Sequence, residues 1–214
     1  MANGEVKFGA FTLGMVQTNC YYVYREGDGK ETPCIVIDPG DLGSRVHEEL
    51  AKRGLKTALI LLTHAHFDHI LGVDELRKLS GAEVWGSEEE KELFDDPSLN
   101  CSSDIGRPCT VKIDRYLKDL ETFEAAGLTL QTISTPGHTK GSCCFYIKEA
   151  NLLFSGDTLF AESVGRTDLP TGSMSAQVRS IKEKLFALPD DTLVLSGHTG
   201  ETTIGHEKKY NPFL

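Results

Sequence analysis

The segment THAHFDH sets His64, His66, Asp68 and His69 within six residues, directly behind the apolar run ALILL. Charged and polar side chains are normally spread singly over a surface, so a cluster this dense has a chemical purpose. Three further donors stand alone behind other apolar runs: His138 after LTLQTISTPG, Asp157 after LLFSG and His198 after LVLSG. Each follows a glycine, and tight turns at strand ends are where a rigid scaffold presents functional groups.

Five imidazoles and two carboxylates exceed what one tetrahedral zinc takes and suit two divalent ions that share a carboxylate. No cysteine joins the set, so zinc is expected first, with iron or manganese as alternatives. Two such ions can bridge a water and lower its pKa toward about 7, and one of them can polarise a carbonyl. The expected chemistry is hydrolysis by a metal-bridging hydroxide; no GxSxG motif offers a serine nucleophile instead.

The elements that must position these donors are short. Strand character falls at Cys20–Tyr24, Cys34–Asp38, Ala58–Leu62, Leu128–Ile133, Cys143–Ile147, Leu152–Phe154 and Leu193–Leu195. Apolar spacings of three and four predict helices over Ser44–Arg53, Gly72–Leu79 and Ser173–Leu188, the last with Ser173 as N-cap and Pro189 as stop. Asp95–Pro108, rich in Pro, Ser, Asn and Gly, reads as a long surface loop. LILLTH and LVLSGH repeat a strand-turn-histidine pattern, which suggests two related halves. Strands stacked as two sheets with helices outside would leave the strand ends free to carry a site.

The chain has 214 residues, 39% hydrophobic, which fits a single α/β domain over residues 1–214. A net charge of -10 disfavours nucleic acid as partner. The first twenty residues lack the pattern of a secretory signal and no run of eighteen apolar residues occurs, so a cytoplasmic protein with no membrane association is expected. The six cysteines show no CxxC spacing and are expected as buried, reduced thiols, with no Cys101–Cys109 disulfide.

HxHxDH followed by single His, Asp and His at strand ends resembles the metallo-β-lactamase superfamily. The nearest likeness is to its glyoxalase II-like branch, hydroxyacylglutathione hydrolases of the short type. THAHFDHILGV, TPGHTKGS, FSGDTLF, VGRTDLPTGS and GHTGETTIGHEKKYNPFL carry it, over Asn19 to Leu214. The resemblance implies a four-layer αββα sandwich with the metals at one edge of the sheets. It assigns His64, His66 and His138 to a first metal, Asp68, His69 and His198 to a second, and Asp157 to both. Asp68 is the implied catalytic residue, as proton acceptor or orienter of the hydroxide. Thr63, Gly137, Ser155 and Gly156 would shape turns or orient ligands. Asp157 stands where antibiotic-degrading members commonly have cysteine, which speaks against a β-lactamase.

The implied substrate is a small-molecule thioester of the hydroxyacylglutathione type. Longer glyoxalase II enzymes carry a C-terminal helical domain that binds glutathione; this chain ends sixteen residues after His198, so that domain is not expected. Arg166 would meet an anionic substrate group or pair with Asp168. Lys140 departs from the proline common in the family. His47 is expected in solvent, and His206 in a tail near the site. The alternative within the superfamily is a persulfide dioxygenase holding one iron. A purely structural zinc site and an RNA-processing enzyme rank lower, since the donor set is thiolate-free and the chain is acidic. The sequence leaves the oligomeric state open.

Overall fold

The computed structural model describes residues 4–27 and 31–214. Residues 1–3, where the expected non-secretory start lies, and residues 28–30 fall outside that description. The first half builds β1 (Val6–Leu13), β2 (Thr18–Arg25), β3 (Thr32–Ile37), α1 (Gly43–Lys52), β4 (Leu55–Leu62), α2 (Phe67–Ile70), α3 (Val73–Ser80), β5 (Glu83–Ser87), α4 (Lys91–Asp95) and β6 (Arg115–Leu117). The second builds β7 (Thr122–Ala125), β8 (Leu128–Ser134), β9 (Cys143–Ile147), β10 (Leu152–Gly156), β11 (Leu159–Phe160), β12 (Ser163–Val164), α5 (Met174–Glu183), β13 (Leu193–Ser196), β14 (Thr202–Thr203) and α6 (Ile204–Tyr210).

Twelve of the strands form two six-stranded sheets, ordered β1-β2-β3-β4-β5-β6 and β14-β13-β10-β9-β8-β7, and β11 pairs with β12 alone. Alternation along each strand sends successive side chains to opposite faces, and the packing follows that rule. Ile35, Ile37, Leu59 and Leu61 point between the sheets against Phe145, Phe154 and Leu195. Their neighbours Cys34, Val36, Ile60 and Leu62 turn outward onto Val46, Leu50, Val73 and Leu76 of α1 and α3. On the far side Cys144, Tyr146 and Leu153 meet Ile181 of α5. Both sheets are thus covered on both faces, giving the four-layer αββα sandwich the sequence implied.

All seven predicted strands and three helices are present, with ends shifted by a few residues. The predicted Ser173–Leu188 helix closes earlier: α5 ends at Glu183, and Leu185–Ala187 follow as a separate 3-10 turn. The Asp95–Pro108 segment is the surface loop expected, except at its middle. Past Asp95, which closes α4, it contains no regular element, but Asn100 and Ser102 are fully buried, and Asn100 Nδ2 donates to the carbonyls of Leu93 and Cys109. The two halves share layers but not connectivity: the first sheet has three parallel pairings, the second only β10 with β13.

Strand direction explains where a site can form. β3 and β4 are parallel, so both end at one edge, and antiparallel β2 begins there. In the second sheet β8 and β10 each run opposite to β9, and β13 runs parallel to β10. The C-terminal ends of β8, β10 and β13 therefore share an edge too.

Candidate metal centre

All seven donors singled out in the sequence meet at these strand ends. His64, His66 and His138 bring their ring nitrogens within 4.8 Å of one another, and so do the donor atoms of Asp68, His69 and His198. Asp157 stands between the two groups: Oδ1 is 3.4 Å from His69 Nε2, while Oδ2 is 3.5 Å from His138 Nε2 and 3.3 Å from His198 Nε2. His198 Nε2 is also 3.1 Å from Asp68 Oδ2. Gly197 permits this approach; a Cβ there would lie 2.2 Å from Asp157 Oδ1.

Three of the five rings are turned by a partner outside the cluster, whereas His66 Nδ1 meets His138 Nε2 at 2.7 Å and His198 Nε2 faces Asp68 and Asp157. His138 Nδ1 donates to the Arg166 carbonyl at 2.6 Å, which leaves Nε2 as the ring's acceptor, facing inward to His66 Nδ1. His69 Nδ1 donates to Asp38 Oδ2 at 2.9 Å. The Thr63 hydroxyl gives its one proton to the same Asp38 oxygen at 2.6 Å, so its 3.1 Å contact with His64 Nδ1 has the ring donating. Buried Asp38 thus orients one histidine from each group. A third triple, Asp38 with His64 and His69, also has ligand-like spacing. Both Asp38 oxygens are already taken, however, by Thr63 N, Thr63 Oγ1 and His69 Nδ1, so it orients rather than ligates.

Asp38, and Thr18, whose hydroxyl donates to Asp68 Oδ2 at 2.8 Å, are the site residues that sequence reasoning missed. Asp38 carried a signal: IDPG sets a carboxylate between an apolar run and a turn, the same pattern that marks Asp157. Its φ of 53° is uncommon for a residue other than glycine, the kind of local strain that persists where the surroundings over-determine it. Thr18 carried no signal.

The electrostatics suit a cation. Burial drives His64 well below its usual pKa, lowers His66 to about 3 and also lowers His138, so these rings stay neutral, as ligands must. Burial opposes charge on His69 and His198 too, but the facing carboxylates prevail and raise both, His198 to about 9. Asp68 and Asp157 are held ionised against burial by those same rings, Asp68 at about 2. Nε2 of His64, His66 and His69 and Oδ1 of Asp157 are buried with no hydrogen-bond partner. Such groups are costly unless something satisfies them. Oxygen and imidazole donors with bare lone pairs aimed into a shared space fit divalent ions of the zinc, iron or manganese type.

A cleft of about 400 Å³ opens onto the donors, walled by Val16, Phe67, Phe160, Val164 and Leu169, with Cys101 and Arg166 also lining it. The Arg166 guanidinium is paired with Asp168 at 2.7 and 2.8 Å. His206 does not reach the donors; its Nε2 meets Glu162 at 3.0 Å. Thr63 and Gly156 pack together as expected of orienting positions, and Ser155 Oγ donates to the Leu159 carbonyl at 2.8 Å. All six cysteines are free, and all but Cys109 are buried.

An αββα sandwich with this cluster at its strand ends is the architecture of a metallohydrolase fold. The chain belongs to the metallo-beta-lactamase superfamily, whose family model matches residues 13–198. It is 39% identical over 211 residues to the Bacillus subtilis (strain 168) protein named "Probable metallo-hydrolase YqgX", covering 98% of each chain. The similarity to "Hydroxyacylglutathione hydrolase GloC" of Haemophilus influenzae is 34%, over 92% of this chain and 93% of that one. Among solved structures it resembles BLEG-1 B3 metallo-beta-lactamase (41% identity, TM-score 0.90, 97% and 99% covered). It also resembles TTHA1623 in a di-iron-bound form (35%, 0.83, 96% and 100%) and ETHE1 from Myxococcus xanthus (27%, 0.77, 96% and 83%). Among the described residues no helix is long and apolar enough to cross a membrane.

Proposed function

We propose that this protein is a binuclear metal-dependent hydrolase of the glyoxalase II-like kind, cleaving thioesters of the hydroxyacylglutathione type. In this reading His64, His66 and His138 hold one ion, Asp68, His69 and His198 hold the other, and Asp157 serves both. Zinc is the first expectation, and the di-iron-bound relative keeps iron open. The observation that carries the reading is the pair of donor groups joined through Asp157, with unpartnered lone pairs facing a cleft. When bound, two such ions supply a water of near-neutral pKa and polarise the scissile carbonyl.

The chain's own groups do the rest. Asp68 Oδ2, steadied by the Thr18 hydroxyl, is placed at the cleft to receive the proton released as water attacks. The apolar walls Phe67, Phe160 and Val164 exclude bulk water and seat the acyl group. Arg166, at the cleft rim and already paired with Asp168, is available to a carboxylate of the thiol half. Net charge -10 and six free thiols support a cytoplasmic enzyme of small molecules, acting on neither nucleic acid nor membrane.

The test is metal content of protein purified without added metal, followed by thiol release from lactoylglutathione, with a β-lactam and oxygen consumption on glutathione persulfide in parallel. About two ions per chain and release of glutathione are expected. One iron per chain with oxygen uptake would replace this reading by the dioxygenase alternative, and preferential β-lactam opening would move the substrate assignment.

A further inference from the structure

Glu90 has no part in the chemistry above, yet its side chain is wholly buried. It lies in the short 3-10 turn Glu88–Glu90 behind β5. Its Oε1 accepts from the Ala65 amide at 3.0 Å, and Ala65 sits between His64 and His66. Its Oε2 accepts from the Thr139 hydroxyl at 2.9 Å and the Gly141 amide at 2.9 Å, just past His138. One carboxylate therefore ties together the two loops that carry the His64, His66 and His138 group. The approach is tight: a Cβ on Gly141 would lie 2.3 Å from Glu90 N. Among the described residues no equivalent tie runs to His198, whose loop is held instead by Asn19 Nδ2 on the Ser196 and Thr199 carbonyls at 3.0 Å each.

Resting on the ligand assignment above, we propose that Glu90 is a positioning residue: it sets the spacing between the HxH loop and the His138 loop, and so selectively tunes the first of the two metal sites. Its charge state matters to this because a carboxylate offers acceptors in both directions. A glutamine at this position has one acceptor oxygen, so whichever way the amide is turned, its NH₂ faces a backbone N–H, of Ala65 or of Gly141. One loop must then come loose. The outer pair Lys140–Glu92, at 2.5 Å, links the same two segments, but it is exposed and too weakly held to replace the tie.

The experiment is Glu90→Gln in the full chain, read by zinc titration against a chromogenic chelator and by amide exchange of the metal-free protein. One ion should bind on the order of 10- to 100-fold more weakly while the other is unchanged, the usual scale for losing an outer partner of a ligand. The Ala65 or Gly141 amide should lose protection without metal present, and kcat should fall with KM little changed. Thr139→Val should weaken the same ion by a smaller factor, and Thr139→Ser, which keeps the hydroxyl, should restore it. Equal weakening of both ions, or unchanged zinc affinity, overturns the assignment; the Thr139 pair decides it should Glu90→Gln fail to fold. The exchange readout is independent of the thioester reading, so a wrong substrate would leave it standing.

Discussion

On the first sheet four donors share one short segment behind β4, the loop with His64 and His66 and the α2 turn with Asp68 and His69, whereas on the second His138, Asp157 and His198 each follow a different strand. The dense loop looks self-sufficient, yet it leans on many outside groups. Asp38 holds His69 and Thr63, Thr18 holds Asp68, Glu90 holds Ala65, and the Asn100 carbonyl accepts from Phe67 N at 2.9 Å. The single donors are propped as well, by Glu90 on Thr139 and Gly141 beside His138 and by Asn19 on the Ser196 and Thr199 carbonyls beside His198, but each of their strand ends is also fixed by its sheet. His138 uses the Arg166 carbonyl, and the backbone carbonyl of Asp157 accepts from Gln177 Nε2 at 3.1 Å. Closeness in sequence supplies donors at high local density, but rigidity comes from the sheets.

Asp157 is where the two regions join, so Asp157→Ala should cause the largest loss. Both donor groups lose a neighbour, and turnover should fall below detection in a thiol-release assay while the fold persists by circular dichroism. Measurable turnover would mean that the groups work separately.

The next test concerns the props of the dense loop. Burial raises the Glu90 carboxyl to about 7 from its ordinary 4.5, so the folded state holds its proton more tightly than the unfolded chain. Stability is undiminished below pH 4.5, where the group is protonated in both states, and falls as pH rises toward 7 by at most about 3 kcal/mol, the cost of burying the carboxylate that ties the two loops. Urea unfolding of the metal-free protein from pH 4.5 to 7 should show this decline, and Glu90→Gln should flatten it. Every other titratable group is common to both proteins, so the difference between them isolates residue 90.

Asp38→Asn should weaken zinc binding on the order of 10- to 100-fold by releasing His69 and Thr63. Because Asp38 orients a ring from each group, both ions should be affected in the titration, in contrast to Glu90→Gln. An effect confined to one ion would sever the Asp38–Thr63–His64 link. The smallest effect belongs to Arg166→Ala. The Arg166–Asp168 pair is mostly exposed, so stability should change by less than about 1 kcal/mol. A raised KM for lactoylglutathione at unchanged kcat would establish its contact with substrate; no change in KM would leave it only as the partner of Asp168.

Much of the fold was legible because both sheets are covered on both faces and their central strands read as apolar runs. β1 was not: VKFGAFTL is an edge strand, partly exposed along most of its length, with Lys7 and Gly9 breaking the pattern. β5 and β7 are as long as β9 and β13, but exposed charged residues interrupt them where those strands are continuously apolar, and β6 has only three residues. The buried Asn100 and Ser102 escaped notice because a polar, proline-bearing composition reads as solvated when its backbone partners are unseen.

By itself the sequence determined the donor inventory, the layer plan and the family, since donor chemistry and hydrophobic period are properties of residue type and spacing. Only the tertiary structure decided which donors face one another and which way each ring is turned. It alone also decided which carboxylates ligate and which, like Asp38 and Glu90, hold others in place. Hydrogen-bond direction and burial arise between residues far apart in the chain: Thr18 and Asp68 are separated by 50 positions, Glu90 and Thr139 by 49. Strand direction brings them to one edge, and no local pattern encodes that meeting.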